Sequence, residues 1–188
     1  ASLSTAASAQ PSFTEVTPTG GLWVTNDTED FWVSAAAPAD VDGDGDIDLA
    51  MLGYYVVYNV SADHRLVLFL NEGLDSSDRW TFTEVPVPLG DLWAGASDLA
   101  WGDYDGDGDP DLAVGSEGAM ALYRNDSGAL TPTPTGLPAY YEDSSYTGAY
   151  DLRSITWADV DNDSDVDLLV PSVPNESTFW YETRLLRN

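Results

Sequence analysis

Residues 40–48 read Asp-Val-Asp-Gly-Asp-Gly-Asp-Ile-Asp, and this alternation returns at 103–111 as Asp-Tyr-Asp-Gly-Asp-Gly-Asp-Pro-Asp and at 159–167 as Asp-Val-Asp-Asn-Asp-Ser-Asp-Val-Asp. Five carboxylates within nine residues repel one another strongly unless a cation lies between them. A hard cation with about six to eight oxygen ligands meets this need, which describes Ca²⁺ better than Mg²⁺ or a metal that prefers nitrogen and sulfur. The sequence therefore predicts three calcium-binding loops, which we call loops 1, 2 and 3.

The residues around these loops indicate that they join strands rather than helices. Each loop opens like an EF-hand loop, but position 12, where an EF-hand needs glutamate, holds Met51, Val114 or Val170. The short apolar run after each loop is typical of a buried strand. In loop 3, Asn162 and Ser164 replace both glycines, and serine adopts the left-handed backbone less readily than asparagine or glycine.

The sequence outside the loops repeats as well. The loops begin at residues 40, 103 and 159, so successive repeats are 63 and 56 residues long. Residues 13–16 (Phe-Thr-Glu-Val) return as residues 82–85, and Trp101 and Trp157 each stand two residues before a loop. A strand-like run after each loop ends in asparagine: Asn71, Asn125 and Asn188. Each unit therefore reads strand, loop, strand, turn, strand, turn, strand, and because no segment has the periodicity of a capped helix, we predict an all-β chain.

A unit of about 50–65 residues with four short antiparallel strands is typical of one propeller blade. The chain resembles the FG-GAP/VCBS repeat family, whose calcium-binding β-propeller blades form the head of integrin α-subunits and occur in many secreted bacterial proteins. In that family an Asp-x-Asp-x-Asp-Gly-Asp-x-Asp-Leu loop joins the first and second strands of a blade. The resemblance covers residues 12–188 but lacks the Phe-Gly and Gly-Ala-Pro signatures, so it is closer to the bacterial branch.

The resemblance implies three Ca²⁺ sites. In each loop the first, third, fifth and ninth residues would bind through their carboxylates, and the seventh through its backbone carbonyl. The implied ligands are Asp40, Asp42, Asp44, Asp46 and Asp48 in loop 1, Asp103, Asp105, Asp107, Asp109 and Asp111 in loop 2, and Asp159, Asp161, Asp163, Asp165 and Asp167 in loop 3.

The predicted fold consists of three four-stranded antiparallel propeller-type blades, with a calcium loop between the first and second strands of each. Strands are expected near 33–39, 48–56, 65–71 and 80–87, near 96–102, 111–115, 119–125 and 129–134, and near 153–158, 167–172 and 179–187. The predicted units are an N-terminal extension (1–11), a fourth strand without a blade (12–18), blade 1 (19–87), blade 2 (88–134) and blade 3 (135–188), which lacks its own fourth strand.

Residues 12–18 have the sequence of a fourth strand, and three arrangements account for them. The strand pairs with blade 3 of another copy and builds a ring or a fibre, which is the interpretation we favour. Alternatively, it completes blade 3 within one chain, or the sequence is a piece of a longer propeller. Three blades fall below the usual number of about four to eight.

Composition excludes several classes of function. The 33 acidic residues against six Arg, with no Lys, give a net charge of −27, which excludes binding to nucleic-acid phosphates and argues against an anionic membrane surface. No apolar run is long enough for a membrane-spanning helix. Without cysteine there is no disulfide framework and no thiol catalysis. The seven Trp and ten Tyr are not typical of an acidic disordered tail.

The sequence favours an extracellular or cell-surface location. Residues 1–10 look like a mature terminus after removal of a signal peptide, or like a linker. Asn-x-Ser/Thr sequons make glycosylation candidates of Asn26, Asn59, Asn125 and Asn175.

We predict a non-catalytic adhesion or structural module that assembles with copies of itself. No catalytic residues are predicted, because the conspicuous carboxylates belong to the loops and the single histidine, His64, is interpreted as an exposed turn residue. Trp23, Trp93, Trp101 and Trp157 recur at fixed places and are predicted to wedge between blades. The alternative is a lectin that binds glycans or cell-surface proteins through tyrosines in the connections: Tyr54, Tyr55, Tyr140 and Tyr141.

Overall fold

A computed structural model describes residues 29–57, 60–89, 98–116, 119–134, 154–174 and 181–188. These residues form eleven strands and no helix, so the all-β prediction is confirmed for them, and none of them belongs to a helix able to cross a membrane. The strands are β1 (Glu29–Ala39), β2 (Asp48–Val57), β3 (Val60–Leu74), β4 (Trp80–Val87), β5 (Asp98–Gly102), β6 (Asp111–Ser116), β7 (Ala119–Asp126), β8 (Ala129–Thr133), β9 (Thr156–Ala158), β10 (Asp167–Pro174) and β11 (Tyr181–Leu186).

The strands form three antiparallel sheets in which chain neighbours pair. Sheet 1 has the order β1-β2-β3-β4, sheet 2 has β5-β6-β7-β8, and sheet 3 has β11-β10-β9. Each aspartate loop joins the first and second strands of its sheet, as predicted. The first two sheets therefore confirm the prediction of four-stranded antiparallel units, while sheet 3 has three strands among the described residues.

The strand bounds lie close to the predicted ones, and the largest difference is at the start of β3. β3 begins at Val60 rather than near residue 65, because Asp63 and His64 continue the pairing with Tyr55 and Tyr54 of β2. Polar residues near the end of a strand can still take part in its backbone hydrogen bonds. They do, however, obscure the apolar pattern by which the strand is recognised in the sequence. His64 is thus a half-buried strand residue, and its interpretation as an exposed turn residue was wrong.

Sheet 2 packs between the other two sheets. Leu112 and Val114 of β6 join a core with Leu52, Leu66 and Leu68 of sheet 1. The intervening Ala113 faces the other way and packs with Leu168 and Val170 of sheet 3. Because successive residues of a strand point to opposite faces, one short strand supplies both cores.

Two tryptophans link consecutive sheets through equivalent hydrogen bonds. The indole Nε1 of Trp101 donates to the Ala37 carbonyl of sheet 1 at 3.0 Å, and that of Trp157 donates to the Ala100 carbonyl of sheet 2 at 3.1 Å. The Trp157 ring lies so close to Gly102 that a Cβ at this glycine would be 2.5 Å from the ring. These contacts confirm the predicted wedge role of Trp101 and Trp157, whereas Trp23 and Trp93 lie outside the described residues.

Candidate metal centres

Carboxylate oxygens converge in all three loops. One oxygen from each of three aspartates lies within 4.8 Å of the other two in every cluster. The clusters are Asp40, Asp42 and Asp48 in loop 1, Asp103, Asp105 and Asp111 in loop 2, and Asp159, Asp161 and Asp163 in loop 3. Oxygen donors alone, all of them carboxylates, form the donor set that Ca²⁺ prefers. The residues present therefore fit a calcium ion.

The first aspartate of each loop shapes the turn around the cluster. Asp40 accepts hydrogen bonds from the Gly43 amide at 2.9 Å and the Gly45 amide at 3.1 Å. Asp103 accepts the equivalent pair in loop 2, at 2.8 and 3.0 Å. These contacts wrap the backbone around one carboxylate, so the following aspartates point toward a common centre. The fifth residue of loop 1, Asp44, accepts a hydrogen bond from the Asp46 amide at 2.8 Å.

Loop 3 adopts the same backbone without glycine. Asn162 has φ 63° and Ser164 has φ 81°, close to the 76° of Gly43 and the 95° of Gly45. A left-handed conformation costs about 1–2 kcal/mol for a residue with a Cβ, less for asparagine. Loop 3 is therefore held in the shape of loops 1 and 2 against the preference of Ser164.

The ninth aspartate of each loop is buried and connects the loop to its sheet. Asp48 is 1% exposed and accepts hydrogen bonds from the Val41 and Asn71 amides, both at 2.7 Å. Asp111 accepts from Tyr104 and Asn125 in the same way, at 3.0 and 2.8 Å. Asp167 repeats the pattern with Val160 and Asn188, at 3.2 and 3.0 Å. The second residue of every loop is thereby fixed to the asparagine at or near the end of the third strand.

The asparagine at that strand end carries the connection into the preceding sheet. Asn125 Nδ2 donates to the Val41 carbonyl of loop 1 at 2.7 Å, and Asn188 Nδ2 donates to the Tyr104 carbonyl of loop 2. We call Asn125 and Asn188 the latch asparagines. In sheet 1 the equivalent Asn71 donates to Ile47 of its own sheet at 3.1 Å. The recurrence of these asparagines was visible in the sequence, but their role was missed because the turn position alone explained them.

Burial of Asn125 also corrects one glycosylation candidate. Asn125 is 0% exposed, and its Nδ2 atom, which would carry a glycan, donates to Val41. A glycan on this nitrogen is incompatible with the fold, so that prediction was wrong. Asn26, Asn59 and Asn175 lie outside the described residues.

The electrostatics of the loops show uncompensated negative charge. Burial raises the pKa of Asp42, and the carboxylates of Asp44, Asp48 and Asp40 add to the increase. Burial likewise raises the pKa of Asp111, with further contributions from Asp105 and Asp107. Both shifts mean that the folded chain holds charge that a cation would neutralise.

A separate aromatic row crosses sheet 1. Trp32, Tyr54 and His64 lie opposite one another on β1, β2 and β3. The Trp32 and Tyr54 rings stack with centroids 6.2 Å apart, and the Tyr54 and His64 rings are 5.8 Å apart. Trp32 is 57% exposed and was not singled out in the sequence, because only its alignment with Tyr54 distinguishes it. The Tyr55 side chain, Tyr140 and Tyr141 lie outside what the structure describes.

Comparison with known families agrees with this geometry. The model of the FG-GAP-like repeat matches the chain twice, over residues 54–114 and 103–170, which together span more than half of it. The first match runs from β2 through loop 2 into β6, and the second runs from the start of loop 2 through loop 3 into β10. No curated protein matches the chain.

Proposed function

Because the chain belongs to the FG-GAP-like repeat family, we propose that it is a non-catalytic, extracellular structural or adhesion module in which Ca²⁺ binding at the three loops stabilises a propeller-like stack of sheets. The observation that carries this proposal is the double role of Val41. Its amide donates to Asp48 of loop 1, and its carbonyl accepts from the latch residue Asn125 of sheet 2. The conformation of a loop is thus coupled to the contact between two sheets.

The residues that would hold the ion are the clustered aspartates of each loop, assisted by the remaining loop oxygens. Ca²⁺ would supply positive charge that offsets their mutual repulsion, and any ion that binds only the folded chain stabilises it. The carboxylates that could otherwise serve catalysis accept backbone hydrogen bonds, which supports a structural role for them.

Thermal unfolding tests calcium stabilisation. We expect the melting temperature to be substantially higher in Ca²⁺ than in excess chelator. Asp42→Asn removes a clustered carboxylate and should reduce this difference, whereas Asp78→Asn removes one negative charge from a turn outside the loops and should preserve it. Identical melting curves of the unmodified chain with Ca²⁺ and with chelator would rule the proposal out.

We further propose that copies assemble head to tail, residues 12–18 of one copy adding a strand to sheet 3 of the next. Edge strand β11 borders a groove of about 550 Å³ between sheets 2 and 3, lined by Met120, Leu122, Trp157 and Leu186 among others. In sheet 1, Phe82 pairs with Asn71, and in sheet 2 Leu130 pairs with Asn125 and packs toward sheet 1. The repeated Phe-Thr-Glu-Val sequence would place Phe13 opposite Asn188, facing this groove.

Light scattering at several protein concentrations tests this assembly. We expect a mass that grows with concentration for the full chain and for a variant lacking residues 1–11, but a monomer when residues 12–18 are deleted as well. Monomers at every concentration would contradict exchange between copies. A monomeric full chain that is destabilised by the longer deletion would show that the strand completes its own sheet.

A second candidate function is carbohydrate binding, which the aromatic row of Trp32, Tyr54 and His64 favours. An exposed indole stacked on a neighbouring ring offers an apolar face of the kind that packs against a sugar ring. Trp32→Ala should abolish binding on a glycan array, while Trp80→Ala, at an exposed tryptophan on β4, should not. If the unmodified chain binds no glycan, carbohydrate binding is excluded.

A further inference from the structure

The residue before each strand-end asparagine differs among the three sheets. It is Arg124 in sheet 2 and Arg187 in sheet 3, but Leu70 in sheet 1. The two arginines are exposed, whereas Leu70 is partly buried against the core. Position for position, therefore, two loops have a neighbouring guanidinium and one has an aliphatic side chain.

Both arginines reach the same position of their loops. Arg124 Nε lies 3.4 Å from Asp105 Oδ2, while its Nη2 pairs with the neighbouring Asp126, and Arg187 Nη2 forms an ion pair with Asp161 Oδ2. Asp105 and Asp161 are the third residues of loops 2 and 3, and each belongs to the carboxylate cluster. The equivalent third residue of loop 1 is Asp42, next to a sheet that offers Leu70 at this place.

We propose that Arg124 and Arg187 are built-in counter-ions that lower the Ca²⁺ affinity of loops 2 and 3, so that loop 1 binds Ca²⁺ most tightly. This inference rests on the proposed calcium binding of the loops. A guanidinium on a ligand carboxylate competes with the ion for that oxygen and also repels its double charge. When Ca²⁺ is scarce, the positive charge of each guanidinium offsets the repulsion among the carboxylates of its loop.

The expected size of the effect follows from Coulomb's law. Two unit charges in contact repel each other only weakly in water. Because Ca²⁺ carries two charges, its repulsion by a guanidinium is stronger and should lower the Ca²⁺ affinity about tenfold. The Arg124 and Arg187 side chains are 45% and 63% exposed, so solvent and salt screen them. The difference between loops should therefore be clear at low ionic strength and should shrink as salt is added.

Competition with a chromophoric calcium chelator at low salt tests the inference. The Asp42→Asn background removes the proposed Ca²⁺ site of loop 1 and leaves those of loops 2 and 3. In this background Arg124→Leu should raise the Ca²⁺ affinity of loop 2 about tenfold, and Arg187→Leu should do the same for loop 3. Arg124→Lys, which keeps the positive charge, should remain close to the parent. Each variant is first shown to be folded by circular dichroism in saturating Ca²⁺.

Arg79→Leu is the matched control. Arg79 pairs with Asp75 at 2.9 Å in the turn between β3 and β4, so this variant changes the net charge equally without touching a loop. If Arg124→Leu and Arg187→Leu leave the affinities as they are, or shift them only as much as Arg79→Leu does, the inference is overturned. If the unmodified chain takes up no Ca²⁺ at all, the proposed calcium function itself has failed, a result distinct from the previous one.

Discussion

At the scale of single residues, the aspartates of one loop do different work. The first and ninth are occupied by backbone amides, as in Asp40 and Asp48, and so determine the shape of the turn and its attachment to the sheet. The third residue of loop 1, Asp42, accepts only the amide of Asp44 within its own loop and contributes charge to the centre, and its pKa is raised. Replacing a first or ninth aspartate therefore damages the fold as well as the site, and replacing the third addresses the site more directly.

Ser164 gives a prediction at this scale. Because its φ of 81° suits glycine, Ser164→Gly should raise the free energy of unfolding by about 1 kcal/mol. The reciprocal change, Gly108→Ser, introduces serine where φ is 98° and should lower the free energy of unfolding by a similar amount. Urea unfolding in saturating Ca²⁺ measures both, and a neutral or destabilising Ser164→Gly would contradict the strain assigned to loop 3.

At the scale of elements, the contact between sheets is made by repeated polar links beside apolar cores. Trp101 and Trp157 supply one indole hydrogen bond each, and the latch asparagines supply one amide hydrogen bond each. Such links are costly to break because they are buried: a carbonyl that loses its donor has no water to bond with instead. The links therefore define how one sheet sits on the next, while the apolar residues supply most of the favourable free energy.

Asn125→Ala tests the latch. It leaves the Val41 carbonyl without its donor and the Gly128 amide without its acceptor at 2.9 Å, so the free energy of unfolding should fall by about 2–4 kcal/mol. Hydrogen exchange should accelerate in loop 1 as well as in sheet 2. Asn71→Ala, whose asparagine bonds within sheet 1, should leave exchange in sheet 2 unchanged. An Asn125→Ala variant as stable as the parent would show that the latch contributes little.

At the scale of the whole molecule, the dominant feature is a net charge of −27 gathered around stacked sheets. Self-repulsion of this size opposes the compact state, so counter-ions should decide how stable the chain is. Loops 1 and 2 also place Asp48 and Asp111 within the core, where water solvates and screens their charge least. Stability should therefore respond to pH in opposite directions with and without Ca²⁺.

The pH prediction follows from the raised pKa values of Asp42 and Asp111, whose ordinary value is 3.8. Above their raised pKa values both groups are charged and destabilise the metal-free fold, and protonation relieves this as the pH falls through them, completely below 3.8. In chelator, the melting temperature should therefore rise on going from about pH 7 to about pH 4.

In saturating Ca²⁺ the same acidification should lower the melting temperature, because protons compete with the ion for the carboxylates. Asp75, whose pKa is lowered by its hydrogen bond with Arg79, stabilises the fold above its ordinary value of 3.8 and loses that contribution only below it. Asp75 therefore does not alter the change in melting temperature expected between about pH 7 and about pH 4. A melting temperature in chelator that falls steadily across the window would contradict the prediction.

The sequence by itself determined the local features. Alternating aspartates with glycines, short apolar runs and repeated strand ends predicted the loops, the antiparallel sheets and the order of their strands, because these depend on neighbours along the chain. Only the tertiary structure decided which groups meet across sheets. Asn125 and Val41 are 84 residues apart, so nothing local distinguishes a buried latch asparagine from a glycan acceptor in the same sequon. Pairing of Trp32 with Tyr54 and the guanidinium of Arg124 beside Asp105 were likewise hidden, since register and packing place them.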